Sequence, residues 1–205
     1  MTSPATIRVE DIAQHPAFRR LETIAGIDHD LRYATANNFD GRVLYAGIDC
    51  AGLRAEAAAG LEAAAAWLAR AHPGHRILVL DALRPQRVQE AIWRDVAGTP
   101  AARSFANPER GSIHSFGMAV DATLRNAEGR ELDMGSGFDE MALASHPSLE
   151  AEQLAAGTIT RAHIAVRNML RGAMAAGGFA GIPTEWWHFD HGDREQVRRE
   201  YPRVL

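Results

Sequence analysis

The sequence predicts one domain in which helices and strands are mixed, and three observations lead to this class. The chain has 205 residues, a length that can fold around one core and bury roughly 70% of the surface that the unfolded chain exposes. Alanine- and leucine-rich segments alternate with short apolar runs typical of strands. No repeat, linker or change in composition divides the chain. We therefore expect a single domain over residues 1–205.

Local patterns predict the individual helices and strands. Helices are expected over residues 51–71, 86–96 and 160–176. Strands are expected over residues 77–80, 117–121 and 185–189. The first helix is stopped by His72-Pro73-Gly74 and the third by Gly177-Gly178, while the polar, proline-containing residues 99–111 predict a loop.

Composition excludes several classes of function. The net charge is -4, and no basic stripe with interleaved aromatic residues is present, so we expect no nucleic-acid partner. The single cysteine, Cys50, excludes an intrachain disulfide framework and fits a reducing compartment. Residues 1–20 show no signal-peptide pattern, and the alanine-rich run over residues 57–71 is far from a membrane span. The sequence therefore predicts a cytoplasmic protein without a membrane partner.

Residues 112–121, which read Ser-Ile-His-Ser-Phe-Gly-Met-Ala-Val-Asp, are the most informative stretch. His114 and Asp121 have side chains that bind divalent metals. If residues 117–121 form a strand, the larger residues at 118 and 120 face the core, because successive side chains point to opposite faces. Gly117 and Ala119 would then form an open floor beside Asp121, and His114 would fold over it.

A second motif completes this candidate site. Glu185 and His188 are three positions apart and would share one face of a helix, but their aromatic context favours a strand. On an ideal strand they would point to opposite faces, so we expect Glu185 just before the regular strand. The set His114, Asp121 and His188 offers two imidazoles and one carboxylate with a fourth position left open. This is the pattern of a catalytic zinc site, whereas structural sites are usually closed by cysteines.

Peptide hydrolysis at such a site needs two further groups. Bound zinc lowers the pKa of its water to about 7 and polarises a carbonyl oxygen. A carboxylate that is not a ligand must move the proton from water to the leaving amine, and Glu185 is the candidate. A guanidinium must stabilise the tetrahedral oxyanion, and Arg84 is suited because Pro85 stops a buried strand and directs Arg84 off its end.

These motifs resemble those of a known family. Ser112-x-His114-x-x-Gly117-x-Ala119-x-Asp121 together with Glu185-x-x-His188 is similar to the zinc D-alanyl-D-alanine peptidases, and most similar to the VanX-type dipeptidases. Residues 28–39, the Arg84-Pro85 pair and residues 137–141 resemble the same subfamily, so the similarity extends over nearly the whole chain. Leu83 departs from an expected aromatic residue that would affect the pocket wall, and Ala122 is a second departure.

The resemblance implies a fold, an activity and residue roles. The fold would be α+β, an antiparallel sheet flanked by helices as in the hedgehog and D,D-peptidase domains. The activity would be hydrolysis of the small substrate D-Ala-D-Ala to two D-alanines with one Zn²⁺ per chain. The implied roles are metal ligation by His114, Asp121 and His188, proton transfer by Glu185, oxyanion stabilisation by Arg84, ammonium binding by Asp139 and carboxylate binding by Ser112 and Tyr33.

Alternatives stay open for the activity and for single residues. The same chemistry in an open cleft would give a D,D-carboxypeptidase acting on longer cell-wall peptides, and the same fold also serves as a non-catalytic zinc-containing binding domain. For single residues, the alternatives are that Arg84 pairs with Asp81 or a helix end and that Asp139 is a solvated turn residue. His191 is the second choice as a ligand. The sequence does not specify the oligomeric state.

Overall fold

A five-stranded mixed sheet forms the centre of the protein. The computed structural model describes residues 6–99, 102 and 106–205, so residues 1–5 and part of the predicted loop over residues 99–111 lie outside the described residues. The strands of the sheet, in spatial order, are β2 (Ile27–His29), β4 (Arg76–Asp81), β5 (Ala119–Arg125), β7 (Glu185–His191) and β6 (Phe179–Ile182). Neighbouring strands from β4 to β6 are antiparallel, and β2 joins the edge parallel to β4. A separate antiparallel pair consists of β1 (Phe18–Arg20) and β3 (Gly52–Arg54).

Helices flank this sheet. They are α1 (Ala55–Ala71), α2 (Gln86–Val96), α3 (Glu150–Ala155), α4 (Arg161–Ala176) and α5 (Arg194–Glu200). Short 3-10 helices lie at Val9–Gln14, Leu21–Thr23, Arg32–Ala34, Ile113–Phe116, Leu143–Ser145 and Pro147–Leu149. The predicted α+β class with helices against an antiparallel sheet is confirmed, and the parallel edge strand is an addition. Within the described residues, no helix is both long enough and apolar enough to cross a bilayer.

The helix predictions agree with the structure except at one end. The helix expected over residues 51–71 begins at Ala55, because Gly52–Arg54 pair with β1 instead. The helix expected over residues 86–96 has those bounds. The third begins at Arg161, where the Thr160 side chain accepts a hydrogen bond from the His163 amide and caps the helix.

The core lies between the sheet and the α1–α4 helix pair. In β4 every residue from Ile77 to Asp81 is buried, as its continuous apolar run predicts. Helix α1 contributes Leu61 and Leu68, both fully buried, and packs against α4. The two helices approach closely because Gly60 lies against the Gly177 carbonyl oxygen, where a Cβ on Gly60 would lie only 2.4 Å from that atom. In this arrangement α1 packs against β4 and α4 packs against β6.

Candidate active site

Three predicted metal ligands converge at the centre of the sheet. His114 Nε2 lies 3.1 Å from His188 Nδ1 and 3.3 Å from Asp121 Oδ1, and His188 Nδ1 lies 2.9 Å from Asp121 Oδ1. All three residues are buried. Ligand atoms on a tetrahedral zinc with bonds of about 2.0–2.1 Å are about 3.3 Å apart. The three atoms therefore have nearly the spacing that such an ion requires.

Strand register and a tight turn bring these ligands together. Asp121 on β5 lies directly opposite His188 on β7. His114 lies in the 3-10 helix that precedes β5, and this helix ends at Gly117 with φ 69°, a left-handed conformation that glycine adopts without strain. The His114 carbonyl oxygen also accepts a hydrogen bond of 3.3 Å from the Arg84 amide, which ties the turn to the end of β4.

The prediction that Gly117 and Ala119 form an open floor beside Asp121 is wrong. A Cβ at Gly117 would lie 2.8 Å from the Phe18 ring, so Gly117 packs against β1, and Ala119 is fully buried in the core. The regular strand begins only at Ala119, because Gly117 ends the preceding turn. Alternation along residues 117–121 therefore does not hold, although Met118 and Val120 do lie in the core as expected.

A distortion of β7 brings Glu185 and His188 into the same cavity. Gly181 pairs with Phe189, but the next residue of β6, Ile182, pairs with Glu185, so β7 advances four positions while β6 advances one. Two residues three positions apart on a regular strand face opposite sides of the sheet. Such a bulge lets Glu185 and His188 face the same side. Glu185 is thus the first residue of β7 and not, as expected, a residue before it.

The hydrogen bonds of the two histidines leave their metal-facing nitrogens as acceptors. His114 Nδ1 lies 2.7 Å from the Ala82 carbonyl oxygen, and His188 Nε2 lies 2.9 Å from Asp190 Oδ1. Because carbonyl and carboxylate oxygens only accept, these nitrogens carry the protons in the neutral rings, and His114 Nε2 and His188 Nδ1 present lone pairs. Two lone pairs and the Asp121 carboxylate then face one another, an arrangement that positive charge stabilises. The residues therefore fit a bound metal ion.

The pKa shifts of Asp121 and His188 also indicate that these residues fit a bound cation. Burial alone would raise the pKa of Asp121, but His114 and His188 outweigh it and hold that pKa far below its usual range. Burial would lower the pKa of His188, and Asp190 together with Asp121 raises it well above its usual value. The cluster thus retains its anionic carboxylate and favours positive charge at its centre.

Arg84 lies between the ligand cluster and a buried carboxylate. Its Nε and Nη2 donate to Asp81 Oδ2 at 3.0 and 2.7 Å, Nη1 donates to Gln89 at 3.2 Å, and Nη2 lies 3.4 Å from Asp121 Oδ2. The guanidinium also stacks over the Tyr33 ring at 4.7 Å. The pairing with Asp81 considered above is therefore present, yet Arg84 also lines the cavity of the site.

Every predicted site residue lines one cavity of about 340 Å³. The three ligands, Glu185 and Arg84 line it together with Ser112, Asp139 and Tyr33. This volume is at the lower end of the range for small-molecule pockets, about 300–1,000 Å³. The cavity therefore suits a small substrate. The catalytic and substrate-binding roles of these residues stay predictions.

Glu185 and Asp139 line the cavity without being predicted metal ligands, and the pKa of each carboxyl group is raised. Burial, reinforced by Asp121, raises the pKa of Glu185 to about 7. The same causes, in the same order, raise the pKa of Asp139 to about 8, although Arg84 and the nearby Tyr33 side chain oppose the shift. Perturbed carboxylates in a cavity are typical of groups that move protons or bind charged ligands.

Asp139 is buried and strained, and not a solvated turn residue. Its side chain is 7% exposed, and its φ of 58° lies in the left-handed region that few residues other than glycine adopt. Within the described residues, Asp139 Oδ2 is buried without a hydrogen-bond partner. Strain and an unsatisfied carboxylate oxygen in a cavity wall indicate a ligand contact.

Two other expectations about the site are wrong. His191, the second choice as a ligand, packs against Phe179 and Gly60 and does not belong to the ligand cluster. Leu83, expected to alter the pocket wall, is fully buried in a core cluster with Ile12 and Phe18.

Gln89 and Asp190 were not predicted to lie at the site, whereas Asp81 was considered as a partner of Arg84. Asp81 and Gln89 hold Arg84, and Asp190 holds His188. Asp190 also accepts a hydrogen bond from Arg194. One signal was available, since an aspartate inside an apolar strand needs a partner, and both Asp81 and Asp190 are of this kind.

The fold and the site define a class of protein. Two imidazoles and one carboxylate that converge, with a further carboxylate and a guanidinium in the same cavity, are typical of a metal-dependent hydrolase. A family model described as D-ala-D-ala dipeptidase, of the M15 peptidases, matches residues 17–205. The chain therefore belongs to the D-Ala-D-Ala dipeptidase family of M15 peptidases, and it is a hydrolase.

Curated relatives agree with this family. The D-alanyl-D-alanine dipeptidase of Escherichia coli K12 is 36% identical over 169 residues, which cover 80% of this chain and 78% of that protein. The D-alanyl-D-alanine dipeptidases of Streptomyces coelicolor and Enterococcus faecalis are 34% and 28% identical, and each alignment covers 82% of this chain and 87% of the relative.

Proposed function

We propose that the protein is a zinc-dependent dipeptidase that hydrolyses D-Ala-D-Ala to two D-alanines. The observation that carries this proposal is the convergence of three ligand atoms within 3.3 Å of one another beside a perturbed carboxylate and a buried guanidinium. Membership of the dipeptidase family supports the substrate. The small cavity supports a dipeptide over a longer peptide.

Three residues would hold one zinc ion in each chain. His114 Nε2, His188 Nδ1 and Asp121 Oδ1 are the ligand atoms, and their spacing fits a tetrahedral ion with one position left open. When bound, zinc polarises the peptide carbonyl and lowers the pKa of water. Zinc is favoured over harder cations because two of the three donors are imidazole nitrogens.

Glu185 is proposed as the group that moves the proton. It lines the cavity, it is not a ligand, and burial raises its pKa to about 7, which is near the operating pH of a general base and acid. Its carboxylate takes a proton from the attacking water as the oxygen bonds to the carbonyl carbon. The same proton then passes to the leaving amine as the C–N bond breaks, so the residue returns to its starting state.

Arg84 is proposed to stabilise the oxyanion. Asp81 holds its Nε and Nη2, so the guanidinium has a fixed position before the substrate binds. Charge that is fixed in advance stabilises a developing oxyanion without reorganisation during the reaction. The guanidinium also stays charged, because burial is outweighed by Tyr33 and Asp81, and its pKa is held well above its usual value.

The two ends of the dipeptide need separate partners. We assign the substrate ammonium to Asp139, whose buried Oδ2 lacks a partner within the described residues. We assign the carboxylate to the hydroxyl groups of Ser112 and Tyr33, which line the same cavity. An enzyme with partners for both charged ends requires a substrate of fixed length, which favours a dipeptidase.

We also propose that the enzyme acts in the cytoplasm. Its one cysteine, Cys50, is a free and buried thiol, which is compatible with a reducing compartment. Fractionation of cells that express the full-length native gene is the test, and recovery outside the cytoplasmic fraction would contradict the proposal.

D-alanine release from D-Ala-D-Ala and from N-acetyl-D-Ala-D-Ala tests the function. We expect the zinc-loaded wild type to cleave only the free dipeptide, because the blocked amine cannot pair with Asp139. Glu185→Gln keeps the shape of the side chain and is expected to lose at least 100-fold in kcat with zinc still bound at one ion per chain. Cleavage of the acetylated substrate would instead indicate a carboxypeptidase, and no cleavage of either with zinc bound would indicate a binding domain.

A further inference from the structure

A group of arginines lines the cavity beside Ser112 and has no role in the mechanism above. Arg110 precedes Ser112 by two positions, while Arg194 and Arg198 lie on α5. Arg198 Nε donates to the Gly111 carbonyl oxygen at 3.2 Å, so this guanidinium is fixed to the residue adjacent to Ser112. The cavity therefore carries a cationic wall next to a residue proposed to bind the substrate carboxylate.

The charges of this wall are only partly compensated. Arg194 pairs with Asp190, which also accepts from His188. Arg110 Nη2 and Arg198 Nη1 both donate to one carboxylate oxygen of Glu195, at 2.6 and 2.7 Å. Two guanidinium groups thus share one carboxylate. One positive charge is left over at the cavity, and it provides a site for an anion.

Arg198 is better placed than Arg110 to use this charge. The Arg198 side chain is 14% exposed, whereas the Arg110 side chain is 68% exposed and is screened by solvent. With Nε and Nη1 engaged, Arg198 Nη2 has no hydrogen-bond partner within the described part of the chain. A fixed guanidinium with a free N–H group is the partner that a carboxylate prefers.

We propose that Arg198, supported by Arg110, binds the C-terminal carboxylate of the substrate together with Ser112. This inference rests on the proposed dipeptidase function and adds a residue that determines specificity. The cavity would then be charged at two places, with Asp139 for the ammonium and Arg198 for the carboxylate. Substrates whose C-terminus is amidated or extended are rejected because Arg198 stays unpaired.

Substrates with and without the carboxylate test this role. The zinc-loaded wild type, Arg198→Gln and Arg199→Gln are compared on D-Ala-D-Ala and on D-Ala-D-alaninamide. Arg199 is a matched control, since it is the next residue of α5, is 67% exposed and pairs with Glu200. We expect Arg198→Gln to raise KM for the dipeptide about 10- to 100-fold with kcat changed little, since a hydrogen bond to a charged group is lost.

The substrate D-Ala-D-alaninamide distinguishes a loss of carboxylate recognition from general damage to the protein. If Arg198 binds the carboxylate, Arg198→Gln leaves kcat/KM for D-Ala-D-alaninamide unchanged and removes most of the preference for the acid. Equal losses on both substrates, or no loss on either, would overturn the proposal. Arg199→Gln is expected to behave as wild type on both.

A binding measurement distinguishes failure of this inference from failure of the proposed function. Calorimetry of D-Ala-D-Ala with zinc-loaded Glu185→Gln measures affinity without turnover, and we expect Arg198→Gln in that background to weaken Kd by about 10- to 100-fold. An inactive wild type with an Arg198-dependent Kd would refute only the activity. An active wild type with an Arg198-independent Kd and KM would refute only the carboxylate site.

Discussion

Asp190→Asn tests how the metal-facing nitrogen of His188 is held. Asp190 is 4% exposed, and its Oδ1 accepts from His188 Nε2 at 2.9 Å while its Oδ2 accepts from Arg194 Nε. Asparagine replaces one of these two acceptors by an amide donor. If the amide nitrogen faces His188, it favours the tautomer with a proton on Nδ1, the nitrogen needed for the metal. If it faces Arg194, two donors oppose each other.

Either orientation weakens metal binding. Loss of a partner that orients a ligand histidine usually costs about 10- to 100-fold in metal affinity, or about 1.4–2.7 kcal/mol. We therefore expect the Kd for Zn²⁺ of Asp190→Asn to rise by this factor. The assay is competition with a fluorescent zinc chelator at fixed pH, which reports metal affinity independently of activity.

Asp193→Asn is the matched control for this experiment. The Asp193→Asn substitution removes the same charge three residues away. In the wild type, the Asp193 side chain accepts a hydrogen bond from the Gln196 amide at the start of α5. Asparagine caps a helix as well as aspartate does, so α5 is expected to stay intact. Equal zinc affinity in wild type and Asp190→Asn, or equal losses in both variants, would refute the reasoning.

Three further predictions concern stability and reactivity. In the metal-free protein, burial raises the pKa of Glu185 to about 7, so folding favours the protonated acid, and the stability that this group contributes is lost as pH rises through about 7. We expect Glu185→Gln to raise Tm above wild type at pH 8 by more than at pH 5, and an equal difference at both pH values would count against this. Gly60→Ala would place a Cβ 2.4 Å from the Gly177 carbonyl oxygen and is expected to destabilise by about 1–3 kcal/mol, seen as a lower urea midpoint. An unchanged midpoint would mean that the two helices separate without cost. Burial raises the pKa of the Cys50 thiol well above its usual value, so a disulfide thiol reagent is expected to label it only in guanidinium chloride, and labelling in native buffer would contradict the structure.

The ligand set was predictable because its chemistry is carried by residue type. Asp121 lies in an otherwise apolar strand and requires a partner, and the predicted ligands His114 and His188 supply one. The buried strand before Arg84 was equally clear, since a run of four apolar residues has few other interpretations. For these elements the local pattern and the tertiary structure agree.

The floor of the site and the direction of Glu185 were not predictable from local pattern. Gly117 ends a 3-10 turn with a positive φ, and this turn is set by contacts with Arg84 and β1 that are distant in sequence. Glu185 faces the cavity because of a register shift against β6, and a shift is a property of two strands. Periodicity of one strand contains no information about either feature.

The positions where local rules fail are those that the chemistry requires. An ideal β7 would direct Glu185 and His188 to opposite faces, and an ordinary turn at Asp139 would leave its carboxylate in solvent. The left-handed φ of 58° at Asp139 is of a kind that costs about 1–3 kcal/mol. A metal that binds only the folded chain offsets such costs by mass action.

The core explains why these costs are tolerated. Strands β4, β5 and β7 are buried along most of their length and pair with one another through backbone hydrogen bonds. The fold therefore differs from small zinc domains, in which the metal replaces a missing core. Here the strand register places His188 opposite Asp121, so folding of the sheet itself brings two of the three predicted metal ligands together.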